Sequence, residues 1–248
     1  MKIARLSSFL LLVVLLACWE LSARWLHLSS LVLPAPSVVG SALWRGLSTG
    51  YLWPHIAQTC LELALGLAIG STVGFVGGVV LGESEKMRQI LMPYVVTSQV
   101  VPKLALAPLF IVWFGFGTLP IVVITALICF FPLMESTLTG LHQVDRERLE
   151  LFRMLHATRW QTLRRLKIPS GLPGIMAGVR VAVVLALVGA VVGEFIGAGK
   201  GLGALIIAAQ GTMDTPLMFA VLVVITVLGL GLYKGALLLE QALLKAYV

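Results

Sequence analysis

Charge is scarce in this chain. Asp, Glu, Lys and Arg together make up 12% of its 248 residues, hydrophobic residues make up 59%, and the mean hydropathy is +1.01. A soluble domain needs far more polar surface, so the composition excludes one and points to an integral membrane protein. Cysteine is nearly absent: Cys18, Cys60 and Cys129 fall inside apolar runs at no disulfide or metal-ligand spacing and read as small packing residues. Histidine is equally sparse. His27, His55, His142 and His156 are scattered, with no HExxH or GxSxG pattern, which argues against a membrane-embedded enzyme. A phosphate-binding loop is also missing. Gly199-Lys200 is followed by Gly201 where Ser or Thr should hold magnesium, and Glu194 stands where the first Gly belongs. ATP chemistry therefore falls to another chain, and this one is expected to bind no cofactor or metal.

Long apolar runs dominate what is present. Six approach or exceed the roughly 20 residues that a bilayer-spanning helix needs: 9–25, 56–81, 90–114, 120–141, 174–196 and 216–239. The expected fold is all-α, with about six transmembrane helices. The chain divides into an N-terminal helix (1–30), an outer interfacial segment (31–54) and a core (55–248) carrying one basic loop at 142–172. The N-terminus imitates a secretory signal, and Leu15-Leu-Ala-Cys18 imitates a lipoprotein cleavage box, but the same stretch reads as the first span. The net charge of +7 is a statement about orientation rather than nucleic acid. With the N-terminus inside, only Arg24, Arg45 and Lys200 of the 18 basic residues fall outside, and Lys103 lies within a span. Both termini and the basic loop are expected to be cytoplasmic.

Glycine is concentrated where helices meet. Gly66, Gly70, Gly74, Gly78 and Gly82 recur every fourth residue of the second span, and Gly174, Gly178, Ala182, Gly189, Gly193 and Gly197 repeat the device in the fifth. Such stripes let neighbouring helices approach closely. Pro102 and Pro108 should kink the third span and Pro132 the fourth, so these two should face a partner or a cavity. The stretch 34–51 reads as a short amphipathic helix at the outer interface.

Polar side chains at membrane depth are costly and therefore functional candidates. They are Glu20, Glu62, Gln99, Lys103, Glu135 and Glu194. Gln99, Lys103, Glu135 and Glu194 are the candidate lining of a translocation path. The competing structural reading pairs Lys103 with a glutamate and lets Glu20 and Glu62 snorkel to an interface.

The basic loop carries the most specific pattern. Asp145 is placed as an N-cap, Val144 and Leu149 as a hydrophobic staple, and Leu149, Phe152 and Leu155 as an apolar row. Thr158 to Gln161 forms a capping-box pattern opening a second helix, which is expected to end before Pro169. Two short helices bent at His156-Ala157 would make an elbow suited to a groove in a soluble partner. The plainer alternative is a basic loop lying on anionic lipid.

At these residues the chain resembles the permease subunits of binding-protein-dependent ABC importers. Their cytoplasmic signature is Glu-Ala-Ala, three residues, Gly, nine residues, then Ile-x-Leu-Pro. Here Glu150, Leu151 and Phe152 occupy the first three places, His156 replaces the Gly, and Leu166, Ile168 and Pro169 close the pattern. Pro34-Ala-Pro-Ser37, the run from Pro102 to Gly115, Phe130-Phe131-Pro132 and Gly199 to Gly203 are similar to the branch importing sulfonates, taurine, nitrate and pyrimidine precursors of thiamine. Gly189 to Glu194 looks most like the pyrimidine-precursor members.

The resemblance implies a type I importer permease (MetI-like) fold in the bacterial inner membrane, with no catalysis of its own. It implies two ATP-binding subunits as partners, a periplasmic binding protein, and a second permease copy, most simply an identical one. Leu149, Glu150, Phe152, Leu155, His156, Leu166, Ile168 and Pro169 would then couple to the ATP-binding subunit. The alternative function is an ion-coupled secondary transporter using Lys103, Glu135 and Glu194.

Overall fold

The computed structural model describes the backbone of residues 2–25 and 29–245. The side chains of residues 2–6, 8 and 9 lie outside that description, as do His27 and the orientation-bearing charges of Lys2 and Arg5. Eleven helices, α1 to α11, follow one another, and among the described residues there is no strand. α1 covers Lys2–Trp25, α2 Pro36–Ser48, α3 Trp53–Glu83 and α4 Glu85–Val100. A 3-10 turn, Lys103–Leu106, leads into α5, Ala107–Phe114, and then α6, Thr118–His142. α7 (Arg146–Met154) and α8 (Arg159–Thr162) form the loop region, and a π-helical turn, Leu163–Lys167, joins α8 to α9, Ile168–Gly197. α10 (Leu202–Gly211) and α11 (Thr215–Lys245) complete the chain.

Four helices among the described residues are long and apolar enough to cross a membrane alone: α3, α6, the continuous run Arg159–Gly197, and α11. The expected third span is broken. α4 and the segment Lys103–Phe114 meet at 78°, a bent span or a re-entrant loop. Pro102 supplies the break, since it lacks an amide hydrogen, and Val101 before it is extended (φ −67°, ψ 122°), as the residue preceding a proline prefers. α6 continues through Pro132.

The core is a three-helix stack of α3, α6 and α9. Leu63, Ile121, Cys129, Ala182, Ala186 and Ala190 are buried together at its centre. The α3 glycine stripe lies against α6. A Cβ on Gly70 would sit 2.5 Å from the Ala126 carbonyl oxygen, and one on Gly78 2.6 Å from that of Met134. A Cβ on Gly178 of α9 would collide with Ser136, and Gly140 and Gly171 meet backbone to backbone. Stripes of small residues on α3 and α9 thus both pack against α6, the arrangement that lets spans pack without a hydrophobic driving force in lipid.

α2 forms as expected and packs Val39 and Ala42 onto Ala220 of α11, leaving Trp44 exposed. Glu20 does not merely snorkel. It accepts the Ser37 amide (2.9 Å) and hydroxyl (2.8 Å) at the start of α2 and pairs with Arg24 at 2.6 Å, tying α1 to α2. Glu62 is buried instead: it is 1% exposed and accepts a hydrogen bond from Gln58.

Candidate functional site

The loop between α6 and α9 folds into the expected elbow, with two departures. Asp145 occupies the N-cap position of α7 but makes no side-chain cap; its carboxylate reaches Arg148 at 3.5 Å instead. Both side chains are well exposed, so this local ion pair contributes little. The second departure is at Pro169, where no helix ends. The π-helical turn lengthens the local bonding, so the Ile168 amide bonds to the Leu163 carbonyl. Pro169 follows as one of the first residues of α9. A wider turn absorbs the missing amide and the ring that an ordinary α-turn would not accommodate. The consequence is continuity: from Arg159 to Gly197 the chain is one unbroken helical run.

The corner itself is a Schellman motif. The Ala157 amide bonds to the Phe152 carbonyl and the His156 amide to that of Arg153, both at 3.0 Å. His156, at φ 52°, holds the left-handed position that glycine usually takes. Histidine is among the few side chains enriched there, which lets it replace the glycine of the signature without opening the corner. Beyond it, Thr158 and Gln161 form a complete capping box. Lys167 then bonds Glu83 at 2.6 Å, fixing the elbow to the end of α3.

The predicted elbow residues do not all face outward. Val144, Leu163 and Leu166 are buried against the core, and Leu149, Phe152, Ile168 and Pro169 are half-buried. Leu155 is exposed, together with Leu151, Met154 and Trp160, which were not in the expected row. Leu151, Met154 and Leu155 recur at spacings of three and four, so the open apolar row lies one residue round the helix from the anticipated one. Glu150 is exposed and takes no hydrogen bond or ion pair from the described residues.

The polar residues at membrane depth separate into two groups. At the break between α4 and the 3-10 turn, Lys103 Nζ donates to Gln99 Oε1 at 2.6 Å and makes no ion pair with a glutamate of the described residues. Gln99 Nε2 and, on α6, Glu135 Oε2 are buried without a hydrogen-bond partner. Glu194 belongs elsewhere. It is 1% exposed and accepts the Thr59 hydroxyl at 2.6 Å and the Gly203 amide. Thr59 in turn accepts the Leu202 amide at 2.8 Å, and His55 Nδ1 meets Gly201. Thr59 and Glu194 together cap the N-terminus of α10, whose own N-cap residue, Gly201 at φ 134°, has no side chain to do so. No hydrogen bond or ion pair joins Lys103, Glu135 and Glu194 to one another, and no His, Cys, Asp and Glu of the described residues cluster as a metal site.

Comparison with known proteins places this architecture. The family model described as binding-protein-dependent transport system inner membrane component matches residues 66–245. The riboflavin transport system permease protein RibX of Chloroflexus aurantiacus is 37% identical over 94% of this chain and 87% of its own. The formylaminopyrimidine transport permease protein ThiX of Halalkalibacterium halodurans is 35% identical over 96% of this chain and 95% of its own. An inward-facing structure of the MetNI methionine ABC transporter superposes with a TM-score of 0.65 at 20% identity, covering 78% of this chain and 98% of that one, a likeness of fold. The protein is therefore a multi-pass inner-membrane permease subunit of the type I ABC importer kind, not an enzyme, and belongs to the binding-protein-dependent transport system inner membrane component family.

Proposed function

We propose that this chain conducts a small polar nutrient through an ATP-driven importer as one of two identical permease copies, with both termini cytoplasmic and the elbow at 145–169 seated in the ATP-binding subunit. The observation that carries this reading is the elbow: an apolar row of Leu151, Met154 and Leu155 stands open on a hydrogen-bonded corner that continues without interruption into a spanning helix. An amphipathic helix presenting residues three and four apart is the form that docks into a groove. Glu150, exposed and unpartnered, would pair with a basic group of that groove, and His156 would hold the corner's shape.

Closure of the ATP-binding subunits would push the elbow, and the helical run 159–197 would carry the displacement as a rigid body. At its far end Glu194 holds α10, so α9 and α10 would move together. The path-facing polar residues in this reading are Gln99, Lys103 and Glu135, while Glu194 acts as the clasp. Loaded binding protein and ATP would favour the outward state only to the extent that each binds it more tightly than the inward one.

The substrate class follows the relatives. Two similar proteins are named for a pyrimidine and for a flavin, which supports a ring compound rich in hydrogen-bonding groups ahead of a sulfonate, taurine or nitrate. Riboflavin extends the range that the sequence motifs alone suggest. The test is ATPase activity of the complex in nanodiscs with candidate binding proteins, loaded and empty. Stimulation by loaded protein in the wild type, reduced at least about tenfold in Glu150→Ala, is the expected outcome, equivalent to roughly 1.4 kcal/mol of lost coupling. Equal stimulation of both forms would remove Glu150 from the coupling role, and the loaded protein that stimulates identifies the substrate.

A further inference from the structure

We propose that the groove between α9 and α11 holds a phospholipid of the cytoplasmic leaflet, with its phosphate at Arg180 and an acyl chain along Val181, Val184 and Leu185. The choice of leaflet rests on the orientation proposed above. The groove has a volume of about 460 Å³ and is lined by Ala177, Arg180, Val181, Val184 and Leu185 of α9 and by Tyr233 of α11. The α9 residues recur at spacings of three and four, so they form one continuous face.

Three features select a lipid. The first is the state of Arg180. Among the described residues its one ion pair is Nε to Glu240 Oε2 at 3.2 Å, and the alignment is too poor for a hydrogen bond, because Glu240 Oε2 is buried without such a partner. The guanidinium therefore has a nearby counter-charge but donors that no described residue takes up, and a phosphate oxygen suits that fork. Secondly, the wall below Arg180 is wholly apolar and partly open, with Val181 50% and Val184 43% exposed. A polar nutrient would gain nothing there. The β-branched residues also leave a hollow, whereas a close helix–helix contact calls for small residues. A flexible acyl chain fills such a hollow. Thirdly, Tyr233 stands across the groove at 42% exposure with Lys234 exposed beside it, an aromatic and a basic residue of the kinds found at the level of lipid headgroups.

The test is native mass spectrometry of the full-length chain with its ATP-binding subunits, titrated in detergent with phosphatidylglycerol or with diacylglycerol, which has the acyl chains but no phosphate. The wild type is expected to retain one phosphatidylglycerol per permease copy and to bind diacylglycerol at least about tenfold more weakly, the factor that corresponds to losing one charge-assisted hydrogen bond. Glu240→Gln, which releases Arg180 from its counter-charge, is expected to bind phosphatidylglycerol more tightly. Val184→Trp fills the hollow while leaving Arg180 and Glu240 in place and is expected to abolish retention. Because Arg180→Gln strands Glu240 and risks misfolding, the proposal is judged on these other two variants. Equal binding of the two lipids, or unchanged binding in Val184→Trp, overturns it. So does a loss of permease pairing in Val184→Trp, which would make the groove an interface between copies. Retention of lipid is independent of ATPase stimulation, so failure here leaves the importer reading intact.

Discussion

Gly74→Ala is expected to destabilise the protein by about 1–3 kcal/mol or more, the range for a side chain forced into a full interior, whereas Gly77→Ala should be nearly neutral. The two glycines lie in the same helix three residues apart. A Cβ on Gly74 falls onto the Phe130 carbonyl, a backbone group that α6 cannot move without shifting as a whole, while a Cβ on Gly77 meets the Met134 side chain at an ordinary 3.5 Å. Each substitution adds one methyl, so intrinsic helix propensity favours both equally and cancels from the comparison. Thermal unfolding in detergent measures the difference. Equal midpoints for the two variants would mean that the α3–α6 contact is looser than the glycine stripe implies.

The second large effect is at Glu194. Replacing it with alanine strands the Gly203 amide and removes the acceptor of the Thr59 hydroxyl, at 1% exposure. Each buried polar group left unpaired costs about 1–3 kcal/mol, so the loss should be on the order of 2–6 kcal/mol. Thr59 can fall back on its bond to the His55 carbonyl at 3.1 Å, which places the outcome in the lower part of that range. Glu194→Gln keeps one acceptor for Gly203 and should fall between wild type and alanine. The damage should be local, because α10 owes its N-terminal cap to Glu194 and Thr59 and not to a residue of its own. Hydrogen exchange resolves this: faster exchange confined to 201–211 in Glu194→Ala is the expected pattern. Unchanged protection there would show that α10 is held by its apolar contacts, Leu202, Leu205 and Ile206 against Val221, without the clasp.

The features legible in the sequence were those written in local periodicity. Four spans, the glycine stripe and the Thr158–Gln161 capping box all depend on residues within a few positions of one another, and all stand where the pattern put them. Pro102 announced a disruption, although whether it would kink a helix or break it by 78° depends on packing that no local pattern contains. Pro169 misled for the same reason. A proline reads as a helix end, and only the π-helical turn before it, stabilised by the buried Leu163 and Leu166, carries the helix past.

Side-chain direction was the harder part at the elbow. Leu149, Phe152 and Leu155 and the open set Leu151, Met154 and Leu155 both satisfy helical spacing, so periodicity alone could not say which row Val144 and the core would cover. The Glu194 clasp was illegible because its partners lie far away in the chain: Thr59 is 135 positions distant. One signal was available. A helix opening at Leu202 behind glycines, with no Ser, Thr, Asp or Asn to cap it, needs an acceptor from elsewhere, and a carboxylate at membrane depth eight residues earlier was the nearest candidate.

Docking of the elbow on an ATP-binding subunit is the claim on which the rest depends, and site-specific photo-cross-linking tests it most directly. A photoreactive residue would be placed singly at Leu155, 69% exposed on the elbow, and at Val227, 64% exposed on α11 within a spanning helix, in the full complex in its native membrane. An adduct with the ATP-binding subunit is expected from position 155 and none from position 227. Absence of that adduct at 155, or an equal one at both positions, would contradict docking of the elbow.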